Sequence, residues 1–158
     1  MIIQVIPVID RSVRDLCRRA YEGHPKGCPN HGQRAFCPPR APLFADVFDV
    51  AKPFWAVVNE FDLAAHRARL QAKHPDWSRR RLDCCLYWQA GARKALHAQV
   101  QDWMVRRDDI DGLRAVFCPE AMGVNVTATL KAAGIELEWP PVNIARQVAL
   151  VGGKRVPA

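Results

Sequence analysis

Between Glu22 and Pro42 the chain carries Pro25, Gly27, Pro29, Gly32, Pro38, Pro39 and Pro42. Each proline removes a backbone donor and fixes its own φ, so neither a regular helix nor a central strand can run through this stretch. A loop of that length inside a compact domain is uncommon unless something other than secondary structure ties it down, and a metal centre is such a tie. The same segment holds two of the chain's six cysteines, Cys28 and Cys37. Each is followed directly by proline, as is Cys118 downstream. With 12 prolines in 158 residues, chance would give three such pairs about one time in a hundred. A proline after a cysteine pushes that cysteine toward extended geometry, which suits a rigid loop that presents a thiolate. The bacterial ferredoxin pattern closes on the same Cys-Pro pair. The bland alternative is a set of rigid turns around small buried side chains, but buried structural cysteines have no need of a proline-rich presentation.

The length suits one domain, residues 1–158, and a composition of 49% hydrophobic and 25% charged residues is ordinary for a soluble globular chain. No apolar run approaches the roughly 18 residues of a membrane span. The opening Met1–Ile9 reads as a buried strand and not as a signal peptide, since it has no basic leader and no small-residue cleavage site. A cytoplasmic address without membrane association follows as the expectation. In that reducing compartment the cysteines are expected as ligands, thiols or core residues in preference to disulfides. The formal net charge of +7 permits an anionic partner, either an anionic small molecule or nucleic acid. The arginines are scattered, and no nucleic-acid-binding signature accompanies them.

Helices and strands are expected to alternate. Residues 2–8 read as a strand; Asp10 or Ser12 then caps a helix with Val13, Leu16, Cys17 and Ala20 on one face. Phe54–Val58 reads as a buried strand and Leu63–Lys73 as a helix. A long helix capped by Ser78 is expected to reach about Arg107, with Leu82, Cys85, Leu86, Ala92, Leu96, Val100 and Trp103 on its apolar stripe. Leu113–Phe117, Ile135–Leu137 and Ile144–Val151 read as strands, Thr127–Ala133 as a helix, and Gly152–Lys154 as a frayed end. This pattern predicts an α/β single domain, with a mixed or mainly parallel sheet, flanking helices and a long Cys/Pro-rich metal-binding loop.

Cys17, Cys28 and Cys37 are separated by ten and eight residues, and Cys118 lies far downstream at the end of a predicted strand. Paired Cys-x-x-Cys zinc knuckles are therefore absent. Widely spaced cysteines that converge only in the fold fit an iron–sulfur cluster, which needs thiolates but imposes no single spacing. All-sulfur ligation favours Fe–S and then zinc. His24 and His31 lie in the same loop as reserve ligands. Cys84 and Cys85 point about 100° apart on a helix, so Cys85 is expected in the core and Cys84 stays open as a ligand or thiol. No phosphate-binding, dinucleotide, serine-hydrolase, zinc-protease or zinc-deaminase motif is present.

Gly27-Cys28-Pro29-Asn30-His31-Gly32, followed by Phe36-Cys37-Pro38-Pro39, resembles the signature of a family of small Cys-rich proteins known only as predicted metal-binding proteins, a domain of unknown function (2284-like). In that family a cysteine precedes the signature, as Cys17 does here. A later cysteine is followed by a block similar to Cys118-Pro119-Glu120-Ala121-Met122-Gly123-Val124-Asn125-Val126. The likeness covers about residues 17–40 and 117–135; further cysteines that the family carries downstream are missing. It implies metal, Fe–S above all, and no established reaction. Three readings follow. The first is a 4Fe-4S-type cluster on Cys17, Cys28, Cys37 and Cys118, serving electron transfer to a partner protein or small-molecule chemistry. In it Glu120 or His31 stands by as acid/base if only three cysteines ligate. The second is a structural zinc site in a basic module that binds nucleic acid or protein. The third is a metal-free domain with Cys118 or Cys37 as a reactive thiol, which requires a depressed thiol pKa.

Overall fold

The structure is a computed structural model that describes residues 1–20, 25–108 and 112–156. Four strands form one sheet in the order β1-β2-β4-β3, where β1 is Ile2–Val5, β2 Phe54–Asp62, β3 Leu113–Val116 and β4 Ile144–Gly153. Every pairing is antiparallel, with β2 and β4 matched from Phe54↔Gly152 to Asp62↔Ile144. The helices are α1 (Phe44–Val47), α2 (Leu63–Lys73), α3 (Arg79–Leu82), α4 (Gln89–Val105) and α5 (Val126–Ala132), joined by 3-10 segments at Arg11–Arg18, Cys85–Tyr87 and Pro119–Met122.

The α/β class expected from the sequence holds, and the expected parallel direction does not. Both faces of this sheet are covered. On one, Phe54, Ala56, Val58 and Leu150 pack with Phe44 and Phe48 of the α1 segment and with Val126 and Leu130 of α5. On the other, Val57, Ala149 and Val151 pack with Leu96 and Val100 of α4. Strands buried on both faces lose the in/out alternation and read as continuous apolar runs, the pattern usually met in parallel sheets. Phe54-Trp55-Ala56-Val57-Val58 is such a run, and its direction is invisible in composition.

Four further expectations are corrected. The long helix from Ser78 is interrupted. Ser78 caps only α3, and Asp83 then accepts from Arg67 Nε (2.7 Å) and Arg79 Nε (2.6 Å). The chain turns there and lays Trp88 flat on Phe61, with ring centroids 5.2 Å apart. Cys85 falls in that turn and is exposed, so it is no core residue. Ile135–Leu137 forms no strand and joins neither edge of the sheet. Ile135 and Leu137 instead pack against the core below α5. Gly152 and Gly153 are not a frayed end. They are the last residues of β4, buried, and Gly152 is required because a Cβ there would collide with the Phe54 ring. Among the described residues no helix is long and apolar enough to cross a membrane.

Candidate functional site

The site begins at the N-terminal 3-10 helix. Asp10 Oδ1 accepts from the Ser12 N–H at 3.0 Å and caps Arg11–Arg18, as the sequence suggests. The helix is 3-10 and not α, so of the residues expected on one face only Val13 is buried; Leu16 is exposed and Cys17, next to the last residue, is half-buried. Backbone bonds from Asp10 N–H to Gly123 O (2.8 Å) and from Asn125 N–H to Val8 O (2.8 Å) anchor its start to the Pro119–Gly123 turn. Gly123 has φ +88°, and a Cβ there would stand 3.4 Å from Arg11 Cα. The two segments thus pack backbone to backbone, which brings Cys17 toward Cys118 and Glu120.

Residues 25–43 form turns and bends without helix or strand. Gly27, with φ +81°, lies so close to the 3-10 helix that a Cβ would sit 2.7 Å from Cys17 O and 2.9 Å from the Arg18 carbonyl carbon. Only glycine fits that approach. It lets the Cys28 N–H donate to Cys17 O at 2.8 Å, which binds the two cysteines through their backbones. The second half of the loop closes on itself. Gly32 N–H donates to Pro38 O at 2.7 Å, Cys37 N–H to Arg34 O at 3.0 Å and Ala41 N–H to Cys37 O at 3.0 Å. Arg14, on the 3-10 helix, donates from Nη2 to Pro39 O (3.1 Å) and Ala41 O (2.8 Å), clamping the Cys37 turn to the Cys17 element. Cys118 comes two residues after the end of β3, and its carbonyl accepts from the Ala121 N–H at 3.1 Å to start the Pro119–Met122 turn.

Electrostatic interactions link Cys17 with Cys28 and Cys37, and Cys118 with Cys37 and Cys17. The Cys17 thiol is pushed up first by burial and then by Cys28, Cys37 and Glu120. Cys118 is pushed up by burial, Glu120, Cys37 and Cys17, against a smaller opposing pull from Arg93 of α4. Burial also raises the Glu120 carboxyl, with a hydrogen bond to its own backbone acting the other way. Cys118 and Glu120 nevertheless keep open solvent-accessible surface. Protein crowds Cys118 and Glu120 on one side while the other side stays open to water. A reactive thiol would need the opposite shift, so the metal-free reading loses Cys118 as its nucleophile.

The remaining candidates separate from this group. His31 enters through its backbone, donating to Cys28 O at 3.1 Å. His24 lies outside the described residues. Cys84 is half-buried on the α3–α4 connection and takes no part in the charge interactions of Cys17 or Cys118. Arg14, Gly27 and Arg93 were not singled out from the sequence. Only Gly27 carried a local signal, being a glycine directly before a cysteine inside a proline-rich turn.

The donor set bears on which group would fit. Among the described residues no three His, Cys, Asp or Glu side chains form a single-ion site. A tetrahedral zinc with Zn–S near 2.3 Å would draw its sulfurs to about 3.8 Å of one another. A cluster spreads its irons over the corners of a cube and takes thiolates that stand farther apart. Cysteine thiolates are the donors that such a cluster takes. No protein-family model matches the chain, and no curated protein or solved structure does either. What fold and site define together is an antiparallel α/β protein in which a 3-10 helix, an irregular loop and the segment after β3 carry Cys17, Cys28, Cys37 and Cys118.

Proposed function

We propose that this protein holds an iron–sulfur cluster of 4Fe-4S type through Cys17, Cys28, Cys37 and Cys118 and uses it for redox or cluster-dependent small-molecule chemistry. The observation that carries the reading is the electrostatic coupling of Cys17 and Cys118 to each other and to Cys37, with Cys28 coupled to Cys17 and hydrogen-bonded to its backbone. These cysteines come from a 3-10 helix, an irregular loop and the segment after β3, elements far apart in the sequence. When bound, the cluster supplies an electron at low potential or an iron that polarises a small ligand.

The chain's own residues do the rest. Arg14 and Gly27 hold the loop cysteines at the spacing the 3-10 helix dictates. Glu120, raised by its surroundings, is the group able to hold a proton beside Cys118 nearer neutral pH than an ordinary carboxylate can. Arg93 offers positive charge near Cys118.

The test is the iron, sulfide and zinc content and the visible spectrum of protein purified without oxygen. Iron and sulfide in near-equal amounts with a brown chromophore support the cluster. One zinc per chain without iron would replace it by a structural zinc site and move attention to the basic surface as a face for nucleic acid or protein. Cys37→Ala is expected to lose the metal; full metal content in that variant would overturn the ligand assignment.

A further inference from the structure

A groove of about 760 Å³ runs between α4 and β3, within the size range of sites for small organic molecules. Its walls are mostly apolar, with Val100, Met104 and Val105 from α4 facing Leu113, Ala115 and Phe117. From His97 to Val105 the helix rises about 12 Å, and Leu113 to Phe117 spans about 13 Å, so the groove accommodates an extended chain. One end lies next to Cys118. Phe117 immediately precedes Cys118, His97 stacks on Phe117 with ring centroids 3.7 Å apart, and Arg93, one helical turn before His97, lies within electrostatic reach of Cys118. Arg114 and Lys154 line the other end. Lys154 is placed there by its N–H bond to Gly112 O at 2.8 Å, beside the start of β3. Among the described residues no Asp or Glu lines the groove.

We infer that this groove is the substrate channel of the cysteine site. It takes a small amphipathic anion, such as a carboxylate on an apolar chain or ring, with its charge at Arg114 and Lys154 and its apolar end directed along Phe117 to Cys118. The charge complementarity selects the class of ligand: apolar walls take the body, and two exposed cations choose an anion over an amine. The inference rests on the cluster reading for what happens at the Cys118 end, but binding in the groove does not depend on it.

The probes are octanoate and octylammonium, which share an apolar body and differ in charge, titrated calorimetrically into anaerobically purified protein whose iron and sulfide are measured in the same sample. Octanoate is expected to bind at least tenfold more tightly than octylammonium and to perturb the visible or EPR spectrum of the cluster. Arg114→Ala combined with Lys154→Ala is expected to weaken octanoate about tenfold at unchanged iron content. Val105→Asp, at a position 64% exposed and so tolerant of charge, is expected to weaken it as well. Equal affinity for the two probes, no octanoate binding at millimolar concentration, or indifference to the double substitution would overturn the inference. Binding with an unshifted cluster spectrum would refute the connection to Cys118. Iron-free protein that still selects octanoate over octylammonium would support the groove and overturn the cluster instead.

Discussion

Gly27→Ala isolates the contact that joins two of the cysteines. At φ +81° an L-residue pays about 1–2 kcal/mol in backbone strain. The new methyl would also start 2.7 Å from Cys17 O and 2.9–3.0 Å from the Arg18 carbonyl, both backbone atoms that cannot rotate away. The loop must back off, and the 2.8 Å bond from Cys28 N–H to Cys17 O lengthens or breaks, at about 1 kcal/mol more. The total is about 2–3 kcal/mol against the closed loop, which shifts its closed-to-open ratio by roughly a hundredfold. Gly32→Ala is the matched control: φ is +71° there, but nothing lies within 4 Å of the added methyl, so only the backbone term of about 1–2 kcal/mol applies. Hydrogen exchange at the Cys28 amide, together with iron and sulfide bound after reconstitution at limiting iron, reads the difference. Gly27→Ala should lose protection and loading well beyond Gly32→Ala. Equal behaviour of the two variants would refute the claim that close backbone approach at Gly27 sets the Cys17–Cys28 spacing.

Cys85→Ala should leave both metal content and urea midpoint unchanged to within about 0.5 kcal/mol, since Cys85 is exposed and exposed substitutions cost little; a loss of metal there would enlarge the ligand set. Arg14→Lys should lower metal occupancy nearly as much as Arg14→Ala. One Nη2 atom spans Pro39 O and Ala41 O, a reach a lysine ammonium does not reproduce, and restoration of occupancy by lysine would show that charge alone suffices. His66 is buried at 6% exposure with Nε2 unpartnered, and desolvation, helped by Arg69, lowers its pKa. The unfolded chain therefore binds this proton more readily than the native one, so the His66 contribution is whole above about pH 6.5 and falls as the pH drops below that. Unfolding at pH 7.5 and 5.5 should show a smaller loss for His66→Leu than for the parent protein, and an identical loss would remove His66 from the pH response.

How much of this was legible follows from the range over which each feature acts. The Cys-Pro pairs and the broken stretch from Pro25 to Pro42 are local properties of the chain, and the structure has turns there for the reasons the sequence supplies. The Leu63–Lys73 helix, capped by Asp62 Oδ1 accepting from Ala65 N–H at 2.7 Å, was legible for the same reason. Strand direction was not, because coverage of both faces erases the alternation in β2. The break at Asp83 was hidden as well, since it depends on Arg67, sixteen residues away in α2, while the apolar spacing of Leu82, Leu86 and Leu96 runs through it undisturbed. In the site, the cysteines announce themselves, whereas Arg14 and Arg93 look like any solvated arginine until the fold sets them beside the Cys37 turn and Cys118. The attachments of the site form a separate layer from the sheet. Cys17, Cys28 and Cys37 are held through the Gly27 contact, the Arg14 clamp and the Asp10–Gly123 bond, none of which belongs to the β2–β4 ladder, while Cys118 alone follows a strand. Removal of the bound group should therefore loosen residues 25–43 and leave the amides of Ala56–Val58 and Ala149–Val151 protected. Loss of protection in those strands on chelation would mean that the cysteine site is part of the folding core, with the sheet itself depending on the metal.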